Sequence, residues 1–538
     1  MTDKAQPNQP WWKTGVVYQI YPRSFADSNG DGIGDLTGIA QRLGYLEALG
    51  VDALWLSPIF PSPMADFGYD VADYVGVDPR FGTLADLDDL LAAVHARGMK
   101  LILDYVPNHT SSEHPWFLES RSSRDNPKRD WYIWRDPKPD GGVPNNWISD
   151  FGGSSWEWDE HTGQFYLHAF LKEQPDLNWR NPEVRAAMLD VLRFWLDRGV
   201  DGFRMDVLWH IIKAEGLPDN PVNPDYHYGM GQRDEVLQTH STDQPEVHEI
   251  AAEMRRLADR YPGDRVLIGE IYLPTPKLVE YYGTEAAPEV QQPFNFQLIG
   301  FPWDARRLAK LISDYDAAIP PFGWPNWVLG NHDRPRIADR VGEAQARIAA
   351  MLLLTLRGAP TVYYGDELGI GWVDIPPGRV QDPAELRQPG IGLNRDPVRT
   401  PMPWDASPNA GFSTGEPWLP LNADWKTRNV AAEMDAPGSM LTLYRRLLAL
   451  RRTHPALALG DWRLAPCEGD VLAYERRHGE DRLLIALNLG ARPQRVALPG
   501  WAVGGRVVLS ALDCAAVLHG DTLTLHPDEG LIIAPMAG

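Results

Sequence analysis

Short runs of β-branched, aliphatic and aromatic residues recur along the chain, at 16–21, 53–56, 101–105, 202–205, 266–268, 294–296, 327–329 and 361–363. Most are separated by stretches with helical periodicity, which is the pattern of βα units feeding a parallel sheet. Thr83 is placed to cap a helix over 84–97, whose Leu84, Leu87, Leu90, Leu91 and Val94 repeat at helical spacing before Gly98. Pro182 opens a second helix that runs to about Arg198, before Gly199. Eight strand candidates with helices between them predict a closed barrel.

Two intervals break the rhythm. Residues 109–171 are rich in Trp, Asn, Gly and Asp and too long for a βα loop, so they are assigned to a small inserted domain. Residues 371–437 form a second long, Pro- and Gly-rich excursion, expected at the same face of the barrel. From about Leu459 the texture changes to alternating short strands, at 471–476, 482–489, 506–509 and 523–525, with no helical intervals. The expected architecture is α/β: a (β/α)8 TIM barrel built from 1–108 and 172–455, a small domain over 109–171 inserted after strand 3, and a C-terminal antiparallel β-sandwich domain over 456–538.

Composition narrows the function. A formal net charge of −22 repels phosphate backbones and anionic lipid, so neither nucleic acid nor membrane is expected as a partner. The two cysteines, Cys467 and Cys514, show no metal-clamp or redox spacing, and a reduced, disulfide-free protein is expected. The polar start over 1–10 and the absence of a long apolar run point to a cytoplasmic location.

In a (β/α)8 barrel, catalytic groups sit at the C-terminal ends of strands. Four strand candidates end in polar residues: Asp104-Tyr105-Val106-Pro107-Asn108-His109, Gly202-Phe203-Arg204-Met205-Asp206, Gly269-Glu270 and Gly330-Asn331-His332-Asp333. Arg204 and Asp206, two apart on a strand, can point to one side, where the arginine would hold the carboxylate ionised. Asp206, Glu270 and Asp333 can converge on one pocket. A carboxylate nucleophile, a carboxyl proton donor and a third acid to stabilise oxocarbenium charge are what glycoside hydrolysis asks for. Any one of these acids alone would read as a helix cap or surface ion pair; three together at strand ends do not. His109 and His332 read equally well as scaffold or as sugar contacts, and Trp55, Tyr69, Trp179 and Trp327 by themselves as core.

Asp27, Asn29, Asp31, Ile33 and Asp35 alternate around Gly32, the pattern of an oxygen-ligand Ca2+ loop in which Ile33 gives its carbonyl; Mg2+ is the alternative ion. The twelfth position is Gly38 rather than Glu, so the loop is not an EF-hand sensor. The competing reading is an Asp/Gly-rich turn without metal.

Together these blocks resemble the α-amylase superfamily, glycoside hydrolase family 13, and within it the oligo-1,6-glucosidase and α-glucosidase branch. The resemblance begins with Gly15-Val16-Val17-Tyr18-Gln19-Ile20-Tyr21-Pro22-Arg23-Ser24-Phe25 and takes in Gln174-Pro175-Asp176-Leu177-Asn178-Trp179, the four strand ends, Gly365-Asp366-Glu367 and Arg399-Thr400-Pro401-Met402. It implies Asp206 as nucleophile, Glu270 as acid/base and Asp333 as transition-state stabiliser, with Asp66, Tyr69, His109, Arg204, His332 and Arg399 lining a glucose pocket. The Gln174 block implies exo-acting enzymes on short α-glucosides, with sugar or alcohol acceptors in transfer. In this branch the residue after the nucleophile, here Val207, tends to be valine in α-1,6-acting members and threonine or alanine in strictly α-1,4-acting ones. Two departures stand where an aglycone could sit: Arg334-Pro335-Arg336 after the last acid, and Trp209-His210 after the nucleophile block. Rival readings are a sucrose-converting enzyme or dedicated transglucosylase on the same scaffold, and an inactive amylase-like binding subunit, which would lack an acid.

Overall fold

The computed structural model of the chain describes residues 9–227, 229–466, 468–512 and 518–536. Cys467 and Cys514 lie outside the described residues, as do residues 1–8. The centre is an eight-stranded parallel sheet: β1 (Val17–Ile20), β2 (Ala53–Leu56), β3 (Lys100–Tyr105), β4 (Gly202–Met205), β5 (Val266–Gly269), β6 (Gln292–Pro293), β7 (Asn326–Val328) and β8 (Ala359–Tyr363). Each strand pairs with its neighbour in sequence from β1 to β6, β7 pairs with β8 and β8 with β1. A parallel bridge between Asn295 and Trp327 closes the ring between β6 and β7.

The strands are buried on both faces, which is why they read as apolar runs rather than as alternating ones. Val17, Trp55, Ile102, Val266, Ile268 and Val328 fill the barrel with Phe294. The apolar run at 294–296 lies just past β6, not within it. Phe294 N–H still donates to Gly269 O at 2.8 Å, but the Asn295 side chain then accepts from Gln297 N–H at 3.1 Å and turns the chain. Phe296 stacks on Tyr272 at the barrel mouth, ring centroids 4.1 Å apart.

Outside, Leu84–Ala96 begins at a capping box in which Thr83 and Asp86 exchange hydrogen bonds, and buries Leu87, Leu90, Leu91 and Val94. Pro182–Asp197 starts from the Asn181 side chain, which accepts from Glu183 N–H. Between β3 and β4 a three-stranded antiparallel sheet (Trp134–Arg135, Gln164–Leu167, Trp156–Asp159) packs Trp134 and Tyr166 against Phe117 of helix Pro115–Ser122. The 371–437 segment carries only short helical turns, and its Ala384, Leu393, Asn394 and Arg395 reach the barrel mouth. Beyond residue 460, a five-stranded and a three-stranded antiparallel sheet face each other across Val471, Ala473, Leu484, Val496, Leu523 and Ile533. Among the described residues no helix is long and apolar enough to cross a membrane.

Candidate active site

The ladder of the barrel fixes the height of the acids. Asp104 on β3 and Arg204 on β4 are register partners, so both side chains lie at one level. Asp206 N–H donates to Tyr105 O at 2.8 Å and Glu270 N–H to Met205 O at 2.9 Å, which carries the ladder one residue past each strand and sets both acids at the C-terminal rim. Arg204 is fully buried beneath them. Its Nη1 donates to Asp104 Oδ1 at 2.9 Å and to Asp206 Oδ1 at 2.6 Å. Its Nη2 lies 2.7 Å from Glu270 Oε2, an ion-pair approach off the hydrogen-bond axis, so that nitrogen counts as paired electrostatically though not by a directed bond.

One guanidinium therefore serves three carboxyl groups. Burial pushes the Asp206 carboxyl well above the ordinary aspartate range, Arg204 opposes this, and Glu270 and Asp104 add to it. The same competition takes Asp104 up to about 6. Arg204 is the counter-charge that favours ionised Asp206, and it is divided among three carboxyl groups.

Asp333 has a different setting. Its Oδ1 accepts from Arg399 Nη2 at 2.9 Å and Arg395 Nη1 at 3.3 Å, and its Oδ2 lies 3.3 Å from His332 Nε2. Burial alone would raise this carboxyl, but the guanidinium charges of Arg395, Arg399 and Arg204 outweigh it and hold it far below the usual range. His332 stacks on Tyr69 with ring planes 1° apart, and its Nε2 is 2.7 Å from Tyr69 Oη. Burial takes its pKa down to about 3, and that of His109 to about 4, so both are neutral imidazoles at working pH.

The three acids open into a pocket of ≈ 1150 Å³ including its mouth. Asp66, Tyr69 and His109 line it with Asp206, Glu270 and Asp333, whereas Arg204, His332 and Arg399 stand one layer behind and orient those that do. Asp66 and Arg395, both lining residues, form an ion pair at 2.8 Å in its wall.

A family profile described as "Alpha amylase, catalytic domain" matches residues 19–460, and one described as a domain of unknown function matches 447–532. The chain belongs to the α-amylase family. It is a glycoside hydrolase. It is 41% identical over 527 residues to an oligo-1,6-glucosidase of Parageobacillus thermoglucosidasius, covering 91% of this chain and 92% of that one. Among solved structures it is similar to an α-glucosyl transfer enzyme, with a TM-score of 0.94 and 41% identity over 98% of this chain and 100% of that chain. The trehalulose synthase of Pseudomonas mesoacidophila matches with a TM-score of 0.89 and 37% identity, again over 98% and 100%.

Within this α-amylase-family site, two contributors are absent from the residues singled out in the sequence. Arg395 joins Asp66 and Asp333 to Asp382 of the same long segment, its Nη2 lying 2.7 Å from Asp382 Oδ1, and its guanidinium lies 5.2 Å from the Phe151 ring centroid. Gln174 Nε2 is 3.1 Å from His109 Nε2 and 3.4 Å from Asp66 Oδ2. Gln174 stands inside a block the sequence did mark. Arg395 carries no local signal beyond its place four residues before Arg399.

The loop over 27–35 is separate from the pocket. Asp27 Oδ1 accepts from Asn29 and Gly30 N–H, and its Oδ2 from Gly32 N–H and Ser413 Oγ. Burial raises the Asp27 carboxyl, but these hydrogen bonds outweigh it and leave it below the usual range. Asn29 and Asp31 each accept from the N–H two residues on, at 2.9 and 2.8 Å, and Asp35 caps helix Leu36–Gln41 through Gly38 N–H at 2.6 Å. Gly30 and Gly32 both take positive φ, which lets the loop curl without strain. The donors are all oxygens, which suits a hard cation. Among the described residues, no three His, Cys, Asp or Glu side chains converge as a metal cluster, so carbonyl, amide or water oxygens would have to complete a shell.

Proposed function

We propose that this α-amylase-family enzyme is a retaining, exo-acting α-glucosidase that releases terminal α-glucose from short α-glucosides. The observation that carries the reading is the placement of Asp206 and Glu270 on the two terminal nitrogens of one guanidinium, in a pocket that Asp66, Arg395 and Asp333 also line. The exo-acting part of the reading is supported by the 41% identity to an oligo-1,6-glucosidase.

In the first step Asp206 attacks the anomeric carbon, the glycosidic C–O bond breaks, and a proton on Glu270 goes to the departing oxygen. In the second, Glu270 takes a proton from water as that water displaces Asp206. Asp333, held ionised by Arg395 and Arg399, stabilises the positive charge that develops on the sugar ring. A sugar or alcohol that displaces water in the second step receives the glucosyl group, and the likeness to a solved α-glucosyl transfer enzyme supports this outcome beside hydrolysis. A binding-only role is disfavoured by the presence of all three acids in one pocket.

The 27–35 loop, by its oxygen donors, takes Ca2+, or Mg2+ in its place. Asp27, Asn29, Asp31, Asp35 and the Ile33 carbonyl would hold the ion, whose charge would tie the loop to the segment carrying Ser413.

Initial rates on maltose, isomaltose, sucrose, trehalose and soluble starch, with the released anomer read by proton NMR, test the proposal. Fast cleavage of a disaccharide, little of starch, and α-glucose as first product are expected. β-Glucose as first product would overturn the retaining assignment, and starch as preferred substrate the exo assignment.

A further inference from the structure

Of the Arg334-Pro335-Arg336 string, Arg334 and Pro335 line the pocket, whereas Arg336 is fully buried behind it. Its Nη1 donates to Tyr364 O at 2.8 Å and to Asp366 Oδ1 at 3.1 Å, and its Nη2 donates to Val398 O at 3.1 Å. The guanidinium lies over the rings of Tyr363 and Tyr364, 4.7 and 5.1 Å from their centroids, and a Cβ added to Gly365 would come within 3.2 Å of Nη1. Asp366 balances the charge of this buried arginine. Charge balance does not require the reach to Val398, so that second arm has a separate consequence.

Val398 is the residue before Arg399, and Arg399 donates from Nη2 to Asp333 Oδ1 at 2.9 Å and from Nε to His332 O at 2.8 Å. Two guanidinium groups thus run in opposite directions between the same two segments. Arg399 reaches from its segment to the one that carries Asp333, and Arg336, three residues past Asp333, reaches back to Val398. The carbonyls around Arg399 are held one by one: Tyr363 Oη donates to Val398 O at 2.8 Å, Ser24 Oγ to Arg399 O, and Tyr364 Oη to Thr400 O at 2.7 Å. The 371–437 segment carries only short helical turns, so these donors, all buried, locate Arg399 where a strand ladder would otherwise do so.

We propose that Arg336 is a positioning residue for the reaction: through Val398 it holds Arg399 on Asp333, so that this carboxylate faces the charge that develops on the sugar ring. The inference rests on the α-glucosidase reading and the role of Asp333 given above. Electrostatic stabilisation requires the carboxylate to be in place before the charge appears. Loosening Arg336 therefore weakens binding of the charged transition state and leaves binding of neutral glucose unchanged.

The test is Arg336→Lys, which keeps a positive charge beside Asp366 but offers a single nitrogen, too few to hold Asp366, Tyr364 and Val398 together. Three quantities are read: kcat/KM for the better of maltose and isomaltose, the inhibition constant of 1-deoxynojirimycin, whose ring nitrogen carries a positive charge, and that of glucose, which carries none. A fall of about tenfold in kcat/KM with a matching rise in the iminosugar constant is expected, since displacing a group by about an ångström costs up to about a hundredfold, while the glucose constant stays within twofold. A kcat/KM within twofold of wild type overturns the proposal, and so does equal weakening of the iminosugar and glucose, which is what general damage to the pocket gives. Should Arg336→Lys fail to fold, Tyr363→Phe removes the other donor to Val398 O and is read by the same three quantities, with the same outcomes. A wild-type enzyme inert toward both disaccharides would instead overturn the α-glucosidase reading itself.

Discussion

The backbone N–H of Val207 donates to Oε2 of Glu270 across 2.9 Å, and it does so from a left-handed backbone with φ 36° and ψ 44°. A β-branched residue in that region costs on the order of 1–3 kcal/mol and persists only where its surroundings impose it. Here the strain turns the chain at the end of β4 so that one residue presents Asp206 to the pocket and the next fixes the acid. Val207 also lines the pocket beside Asp206 and Glu270. Val207→Thr keeps the branching and the backbone preference and changes only polarity. The expected result is a fall in the isomaltose-to-maltose ratio of kcat/KM by about five- to tenfold, the lower part of the roughly 1–3 kcal/mol that a single such contact supplies. Equal ratios in the two proteins would place linkage choice elsewhere, on Arg334 or the 371–437 segment.

The shared guanidinium predicts unequal consequences for its two partners. Asp206→Ala removes the attacking group and should be inactive on every substrate. Glu270→Gln removes the proton but not the nucleophile, so a burst of glucosyl-enzyme formation should survive with α-glucosyl fluoride, which needs little help in leaving. Rapid-quench mass spectrometry would detect the ester. Equal loss in both variants with the fluoride would refute the division of roles.

The parts of this arrangement that could be read in the sequence are those carried by contiguous residues. The strand ends at Asp206, Glu270 and Asp333 stand beside their apolar runs, and barrel geometry converts that proximity into convergence. The capping box at Thr83 and Asp86 is equally local. Arg395 was not legible because its meaning lies in partners 329 and 62 residues away, Asp66 and Asp333, reached through a long segment without regular structure. The division of Arg204 among Asp104, Asp206 and Glu270 was hidden for a related reason. The pair Arg204–Asp206 is two residues apart in sequence, but the other two carboxyls arrive from β3 and β5, elements far away along the chain. The end of β6 was displaced because Phe294 and Phe296 are apolar for the sake of the barrel interior and mouth, not the ladder.

Removal of a cation from the 27–35 loop should act on stability and not on rate. The loop residues do not line the pocket, while Asp27 reaches Ser413 and Asp35 caps the helix beginning at Leu36. Chelation followed by a thermal melt should lower Tm by several degrees, restored by Ca2+ in excess, with initial rates of the still-folded enzyme within about twofold, since an ion bound only by the native state stabilises it by mass action. An immediate, reversible loss of rate at unchanged Tm would assign the ion to catalysis instead. An unchanged Tm and an unchanged rate would leave the loop as a hydrogen-bonded turn.

The pH dependence of stability can be traced to a histidine outside the catalytic pocket. His114 caps helix Pro115–Ser122, its Nδ1 accepting from Trp116 N–H at 3.1 Å, and its ring packs 4.5 Å from that of Trp116. Protonation would remove the lone pair the cap requires and place a charge in an apolar setting, and burial takes its pKa down from 6.5 to about 4. With the folded value below the unfolded one, the unfolded chain binds the proton first. The stability from a neutral His114 is therefore complete above pH 6.5 and drains away as pH falls toward 4, a loss of about 2 kcal/mol by pH 5 at 1.36 kcal/mol per unit. His109 and His332 are shifted in the same direction and add to the acid slope, so the wild-type curve alone does not isolate one group. His114→Asn does, because asparagine caps a helix equally well and has no proton to gain. Denaturant unfolding at pH 7 and pH 5 should show the variant losing about 2 kcal/mol less than wild type over that interval, with its pH 7 activity retained because the residue does not line the pocket. Parallel losses in the two proteins would mean that the cap survives protonation and that the acid sensitivity resides in the pocket histidines.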